Sequence, residues 1–406
     1  MTYFRPRLPA RRLLGAALAV VAVTSSGTPR AVAVTIASTE GGGFVASAAA
    51  PSTAAPARPD AFDLASSTAV LSSVATDRAS VAYRAFVRTY WNPTTRLFWA
   101  ESDHSIRAGG RLRIADFWWS AELWEVVMDR YEATRDPAAR KLIDAVWDGI
   151  VALRPTLASD YNDDRNWWAL GATRAYRLTG ERRFLSAATR ISNDIWRYWD
   201  GTFGGGIWWR HSVHDQKNVA TNAAAAITAE HLYQSTGNTL WRDRATRLFR
   251  WVDAKLRTGD RIWDRVTWSG VNHSQYSYNY GTYLGAAATL ESITHSSVYL
   301  AKAVAAAKRA VAVFAPTGVL RSEGTLDGGA FRGIFLRSFT NLTVSHGQRQ
   351  FIPFILNNAN VAWSHRTSAG LYGPNWSVRP TGRIDAATES SGAALLELAV
   401  PVAQAR

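Results

Sequence analysis

YNDDRNWWALGATRAYRLTGERRF, Tyr161 to Phe184, changes character twice. It opens on adjacent carboxylates, continues as an unbroken helical pattern, and turns at Tyr176-Arg-Leu-Thr-Gly-Glu before a second amphipathic run begins. Asn and Asp accept hydrogen bonds from free N–H groups, and acidic side chains favour the positive end of a helix dipole, so Asn162, Asp163 and Asp164 read as a helix start. The turn signature recurs at Tyr131 (YEATRD), Tyr176 (YRLTGE), Tyr233 (YQSTGN) and Leu290 (LESITH), at spacings of 45, 57 and 57 residues. Each is followed by a return helix pattern: Ala138 to Leu153, Arg183 to Trp199, Leu240 to Leu256, and Val298 to Phe314. A helix, a short turn and a return helix bury their apolar stripes only against neighbouring pairs.

Further helix patterns at Arg78 to Tyr90, Gly333 to Leu342, His346 to Trp363 and Ser390 to Val400 bring the count to about twelve. Strand-like alternation is sparse. The expected fold class is all-α, an (α/α)6 barrel in which six hairpins close into a toroid, with an open helical array as the competitor. Counting back from the turn signatures, Trp119, Asp164 and Tyr278 lie 12 residues before theirs and Asn222 lies 11 before. Three helical turns then place four polar or aromatic clusters near one end of the barrel.

The 406-residue chain begins with Arg5, Arg7, Arg11 and Arg12, an apolar run from Leu13 to Val23, and Ala31-Val32-Ala33. That is the pattern of a secretory signal peptide over residues 1–33, with an apolar part too short to span a membrane. The Arg11-Arg12 pair alone does not decide between export routes. Residues 34–76 are rich in Ala, Ser, Thr, Pro and Gly and read as a linker, leaving residues 77–406 as one catalytic-size domain. Zero cysteines exclude disulfides and thiolate metal sites. A net charge of +14 is dispersed, without a dense basic run, which argues against nucleic acid and leaves an anionic envelope or a solvated basic surface.

Chemistry concentrates in three places. Adjacent Asp163 and Asp164 stand ahead of Trp167 and Trp168, and glycoside hydrolysis usually needs two carboxyl groups of unequal acidity beside a sugar-binding surface; helix capping explains the same pair without any ligand. Gly204-Gly-Gly-Ile-Trp-Trp209 combines backbone freedom with flat rings. Trp118, Trp119, Trp168, Trp208 and Trp209 are candidate stacking surfaces for sugar, in a chain with 18 tryptophans. Asn218 and Asn222 share a helix face, and Tyr278-Asn279 forms a similar pair; each is a candidate for ligand hydroxyls or for internal hydrogen bonds. His211, His214 and His273 form no metal set, and no nucleophile elbow, phosphate loop or dinucleotide fingerprint stands in a convincing context.

These pieces resemble glycoside hydrolase family 76, the bacterial endo-α-1,6-mannanases and their fungal cell-wall relatives. The matching segments are FWWSAELWEVVMDRYEATRD from Phe117, YNDDRNWWALGATRAYRLTG from Tyr161, GGGIWW from Gly204, KNVATN from Lys217, YNYGTYLGA from Tyr278 and FRGIFLR from Phe331. The resemblance implies an (α/α)6 barrel and retaining hydrolysis of α-1,6-mannosidic bonds in mannan, with Asp163 as nucleophile, Asp164 as general acid/base, and no cofactor. Tyr280 departs from the Gln usual in the family's YNQG segment, which puts subsite detail in doubt. Two other outcomes use the same residues: transglycosylation through the same intermediate, and a non-catalytic glycan-binding protein on this scaffold. A secreted monomer without a membrane span after removal of the signal peptide is expected.

Overall fold

The computed structural model describes residues 61–106 and 113–406, and the side chains of those from residue 69 onward. The expected signal peptide and most of the expected linker lie outside the described residues. α1 (Ala61–Tyr90) runs through residues 61–76 of the expected linker. Alanine is the strongest helix former, so an Ala-rich stretch reads equally as linker and as helix until its packing is known.

Eleven further α-helices follow among the described residues: α2 (Phe117–Thr134), α3 (Pro137–Leu153), α4 (Asn162–Thr179), α5 (Arg182–Trp196), α6 (Val219–Thr236), α7 (Thr239–Lys255), α8 (Ser277–Thr294), α9 (Ser297–Phe314), α10 (Asp327–Val344), α11 (Ile352–His365) and α12 (Ala386–Gln404). The even-numbered helices form an inner ring in which each packs on the next and α12 closes on α2. This closure makes the fold a toroid, not an open array. The sixth pair differs from expectation, because α1 packs on α12 and chain-distant helices complete it.

Five inner helices are 18 residues long and α12 has 19. They run the same way: early residues meet early ones, as Trp119 meets Asp327, and later ones meet later ones, as Gly285 meets Ser338. The turn signature explains the equal lengths. Arg135, Gly180, Gly237 and His295 each adopt the left-handed conformation after the last helical residue, and each donates its N–H to a carbonyl four residues back. Asp136 and Asn238 then cap the return helix with their side chains. In the fourth repeat the carbonyl belongs to Glu291, so the expected register at Leu290 shifts by one and Asn279 takes the place equivalent to Asp164.

Outer helices present one apolar stripe, as on α5, where Phe184, Ala188, Ile191 and Ile195 are buried. Inner helices are buried almost all round and lean on small residues where their backbones approach. A Cβ at Gly281 would stand 2.5 Å from the Cα of Phe335 on α10. Short β-strands decorate the ring. β1 (Trp91–Asn92) pairs with β2 (Leu97–Phe98), β4 (Arg257–Thr258) with β5 (Arg261–Ile262), and β3 (Gln216–Asn218), β6 (Arg265–Thr267) and β7 (Gly270–Asn272) make an antiparallel sheet in the order β3-β6-β7.

The barrel interior is polar below its open end. Glu122, Glu125 and Asp129 share a face of α2 and meet Arg337 of α10 and Arg174 of α4, with Arg337 Nη1 to Glu122 Oε2 at 2.6 Å and Arg174 Nη1 to Asp129 Oδ1 at 2.7 Å. Glu397 of α12 is buried with Arg130 3.7 Å away, and burial, aided by the charges of Asp129 and Asp136 against the pull of Arg130, pushes its carboxyl up to about 8. A raised carboxyl contributes stability that is complete below the unfolded-chain value of 4.5 and is lost as pH rises through the folded value. The melting temperature should therefore fall between pH 4.5 and about 8, and Glu397→Gln should make that fall shallower. Thermal melts across this range test it; an unchanged slope would refute the assignment.

Candidate active site

The inner helices begin round one end, and α4 brings both aspartates of its first turn there. Tyr161 sits in the N-cap position in extended conformation without capping through its side chain, and Asp163 takes up an N–H of that first turn. The segment before α4 pairs with the strand-like stretch through Trp209: Asn162 donates its N–H to the Trp209 carbonyl at 2.8 Å and its Nδ2 to the Trp208 carbonyl at 2.9 Å. His211 returns an N–H to Asp160 at 2.8 Å. This backbone ladder aims the Trp209 indole, whose Nε1 donates to Asp163 Oδ2 at 2.9 Å.

The two carboxyls are unequally supplied. Asp163 accepts from Trp209 and, through Oδ1, from the Asp164 N–H at 3.1 Å. Asp164 accepts from the Ser159 hydroxyl at 3.0 Å. Burial pushes Asp163 up to about 6 against the pull of those N–H donors. Burial raises Asp164 well above the ordinary carboxylate range, and the Asp163 charge beside it adds to the rise. Asp163 is thus the member that ionises first. Asp327, at the start of α10, holds the Trp119 Nε1 at 2.7 Å and raises both pair members through its charge. Its Asp-Gly-Gly context reads as loop, which hid it; the equal length of the inner helices is the signal that would have found it.

The remaining candidates separate by exposure. Trp118, Trp209 and Tyr278 keep partial solvent access; Tyr278 stacks on Phe331 at 4.1 Å and lies in the field of Asp163. Trp119 and Trp168 are fully buried, and Trp168 Nε1 donates to the Phe117 carbonyl at 3.0 Å. Trp208 is 2 % exposed, bonds Asp200 through Nε1, and has Lys217 Nζ over one face and His214 stacked on it. These three rings wedge the site instead of presenting a face to sugar. The amides are internal too. Asn222 exchanges hydrogen bonds with the Ile207 backbone, Asn218 caps α6 through Thr221 N, and Asn279 donates to Asp264 Oδ1 at 3.0 Å. Tyr280 is buried against Phe314 and takes the Ile262 N–H at 3.2 Å, a scaffold position away from the carboxyl pair.

The glycine loop also serves packing. A Cβ on Gly206, at φ +88°, would stand 2.7 Å from the Trp251 ring, so the loop lies flat on outer-helix tryptophans where close approach by a ligand was expected. Lys217, fully buried, gathers it by donating to Asp200 Oδ1 at 2.6 Å and to the carbonyls of Asp200, Thr202 and Gly205. Burial alone would raise Asp200, but hydrogen bonds from Lys217 and Trp208 hold it at about 2.

A helical toroid with two neighbouring carboxyls of different acidity and an indole on the more acidic one defines a glycoside hydrolase. The chain belongs to glycosyl hydrolase family 76, whose profile matches residues 74–402. It is similar to the α-1,6-mannanase GH76A of Salegentibacter sp. HEL1_6, at 28 % identity and a TM-score of 0.75, covering 81 % of this chain and 99 % of that one. A double Asp-to-Asn variant of that protein, with adjacent aspartates replaced, is described as inactive and in complex with α-1,6-mannotriose. Among curated proteins, mannan endo-1,6-α-mannosidase DCW1 of Saccharomyces cerevisiae is 26 % identical over 210 residues, 45 % of this chain and 46 % of that protein. The match thus spans about half the length of such relatives.

Trp209→Phe keeps an aromatic ring and removes the N–H donated to Asp163. The Asp163 carboxyl should then titrate at higher pH than in the wild type. Carboxyl-carbon NMR on protein labelled at aspartate measures this directly, and an unmoved midpoint would sink the role given to the indole.

Proposed function

We propose that the protein hydrolyses α-1,6-mannosidic linkages of mannan-type polysaccharide with retention of configuration, as a secreted enzyme. The observation that carries this is the asymmetry of the pair: Asp163 is stabilised as an anion by two N–H donors, while Asp164 holds its proton. The similarity to a mannanase that is inactive without its adjacent aspartates supports the linkage. The amino-terminal signal-peptide pattern supports secretion. No helix among the described residues is long and apolar enough to cross a membrane.

In the first displacement an Asp163 oxygen bonds to the anomeric carbon, the bond from that carbon to O6 of the leaving chain breaks, and Asp164 gives its proton to that O6. In the second, Asp164 takes a proton from water, the water oxygen bonds to the anomeric carbon, and the Asp163 carboxylate is released. Two inversions leave the α-configuration. The N–H bonds to Asp163 are already in place, so charge forming there on release meets donors that need no rearrangement.

Linear α-1,6-mannan should yield mannooligosaccharides whose newly formed ends are α by NMR; an initial β-product rules out the double displacement. Asp163→Asn and Asp164→Asn should each remove nearly all turnover with folding intact. If helix capping were their whole role, the loss would be about 1 kcal/mol of stability with turnover kept.

Activity should follow a bell in pH. The acidic limb falls as Asp163 is protonated, near pH 6, and the basic limb falls as Asp164 loses its proton at higher pH. With a substrate whose leaving group needs no protonation, Asp164→Ala should flatten the basic limb, and added azide should be captured as a glycosyl azide. A basic limb unchanged in that variant, without azide product, removes Asp164 from acid/base work.

A further inference from the structure

Between α4, α5, α6 and α7 lies a cavity that leaves about 10 Å³ for the centre of a water-sized sphere, which is room for one small particle. Three of its lining residues carry a buried donor atom without a protein partner: Asn166 Nδ2 on α4, Ser192 Oγ on α5 and Arg244 Nε on α7. Asn166 is only 1 % exposed, so bulk water does not satisfy it. Buried donors are nearly always paired, and three unpaired ones around a single cavity call for an acceptor inside it. The other lining side chains are aliphatic or indole, among them Ile207, Trp196 and Trp241.

Charge narrows the choice of occupant. Among the described residues no carboxylate forms an ion pair with Arg244; its Nη1 donates to the neutral Asn193 Oδ1 at 2.7 Å. The Trp196 and Trp241 rings each lie 4.8 Å from its guanidinium carbon, and Arg247 adds a second cation 5.4 Å from the same Trp196 ring. Burial lowers Arg244 from its ordinary value, with no acid opposing the fall. A water molecule in the cavity would accept from two donors and still need acceptors for its own two protons, which aliphatic side chains and ring faces do not offer. A spherical anion accepts from all three donors and supplies the missing negative charge.

We propose that this cavity is a binding site for one monatomic anion, chloride under physiological salt, held by Asn166 Nδ2, Ser192 Oγ and Arg244 Nε. Sulfate and phosphate are too large for the space. The ion ties α4, α5 and α7 together beside Ile207, whose backbone Asn222 of α6 already holds. It stabilises the folded chain by mass action, because the unfolded chain offers no such set of converging donors. The site stands apart from the mannan reading, and nothing in its test depends on turnover.

Two measurements test it on the whole protein. Thermal melts are run with chloride replacing gluconate at fixed ionic strength, from about 1 to about 300 mM, where one saturating site raises the melting temperature by roughly 2–4 °C. Bromide should act as chloride does. Ser192→Ala removes one donor and Arg244→Gln removes the charge; each should flatten the chloride dependence whatever its own melting temperature. Crystals soaked in bromide should show an anomalous peak within hydrogen-bonding distance of Asn166 Nδ2, Ser192 Oγ and Arg244 Nε. A wild-type melting temperature indifferent to chloride, or a dependence kept in full by both variants, overturns the site. So does a bromide peak without any chloride dependence, which is an adventitious ion only, and so does density in the cavity that gives no anomalous signal, which is a water.

Discussion

Six inner helices that start at one end of a closed ring impose a single electrostatic situation on that end: several sets of unpaired N–H groups face a common opening. Negative or accepting side chains belong there, and they are found there. Asn218 and Asp385 cap α6 and α12, Asp327 begins α10, and Asp163 and Asp164 lie in the first turn of α4. Helix dipoles favour the ionised form, whereas burial disfavours it. For Asp163 and Asp164 burial wins, since both are raised despite their N-terminal placement.

Much of the toroid was legible because a two-residue turn is written in local chemistry. A residue able to adopt the left-handed conformation followed by a capping position marks the end of four inner helices, and the spacing between these marks gives the hairpin count. Elements without such marks are less legible. α10 opens on Asp327-Gly-Gly, six residues before its helical pattern becomes readable at Gly333; α12 is apolar nearly all round and offers little periodicity beyond Ser390 to Val400, so its ends at Ala386 and Gln404 leave no mark in the sequence. The pairing of α1 with α12 is non-local and has no signature in either segment. The aspartate pair was legible as a pair, but its division of labour was not, because the Trp209 donor arrives from a loop more than forty residues away.

Tryptophan content was a less specific guide to sugar binding than it looked. Trp119, Trp124, Trp168 and Trp376 are fully buried, and Trp124 packs with Trp147, Trp168 and Phe184 where inner and outer helices meet. A wide gap between two helical rings asks for large flat side chains whatever the protein does. Adjacent indoles accordingly point to different surroundings, as Trp208, buried under Lys217, and Trp209, beside Asp163, illustrate.

The acid cluster on α2 and the aspartate pair of α4 differ in the company of arginine. Glu122, Glu125 and Asp129 are buried, but Arg337 and Arg174 bridge them across three helices, and the ion pairs bind α2, α4 and α10 together. At the open end no arginine or lysine forms an ion pair with Asp163 or Asp164 among the described residues; their partners are an indole N–H, a backbone N–H and a hydroxyl. An arginine there would hold both carboxyls ionised and leave no proton to give. Neutral donors divide the pair differently, because they can favour one anion without forcing the second, and the repulsion between neighbours then keeps the proton on Asp164. The same fold thus pairs its charges at depth and leaves the carboxyls at the rim to neutral donors, the arrangement that the proposed acid–base chemistry needs.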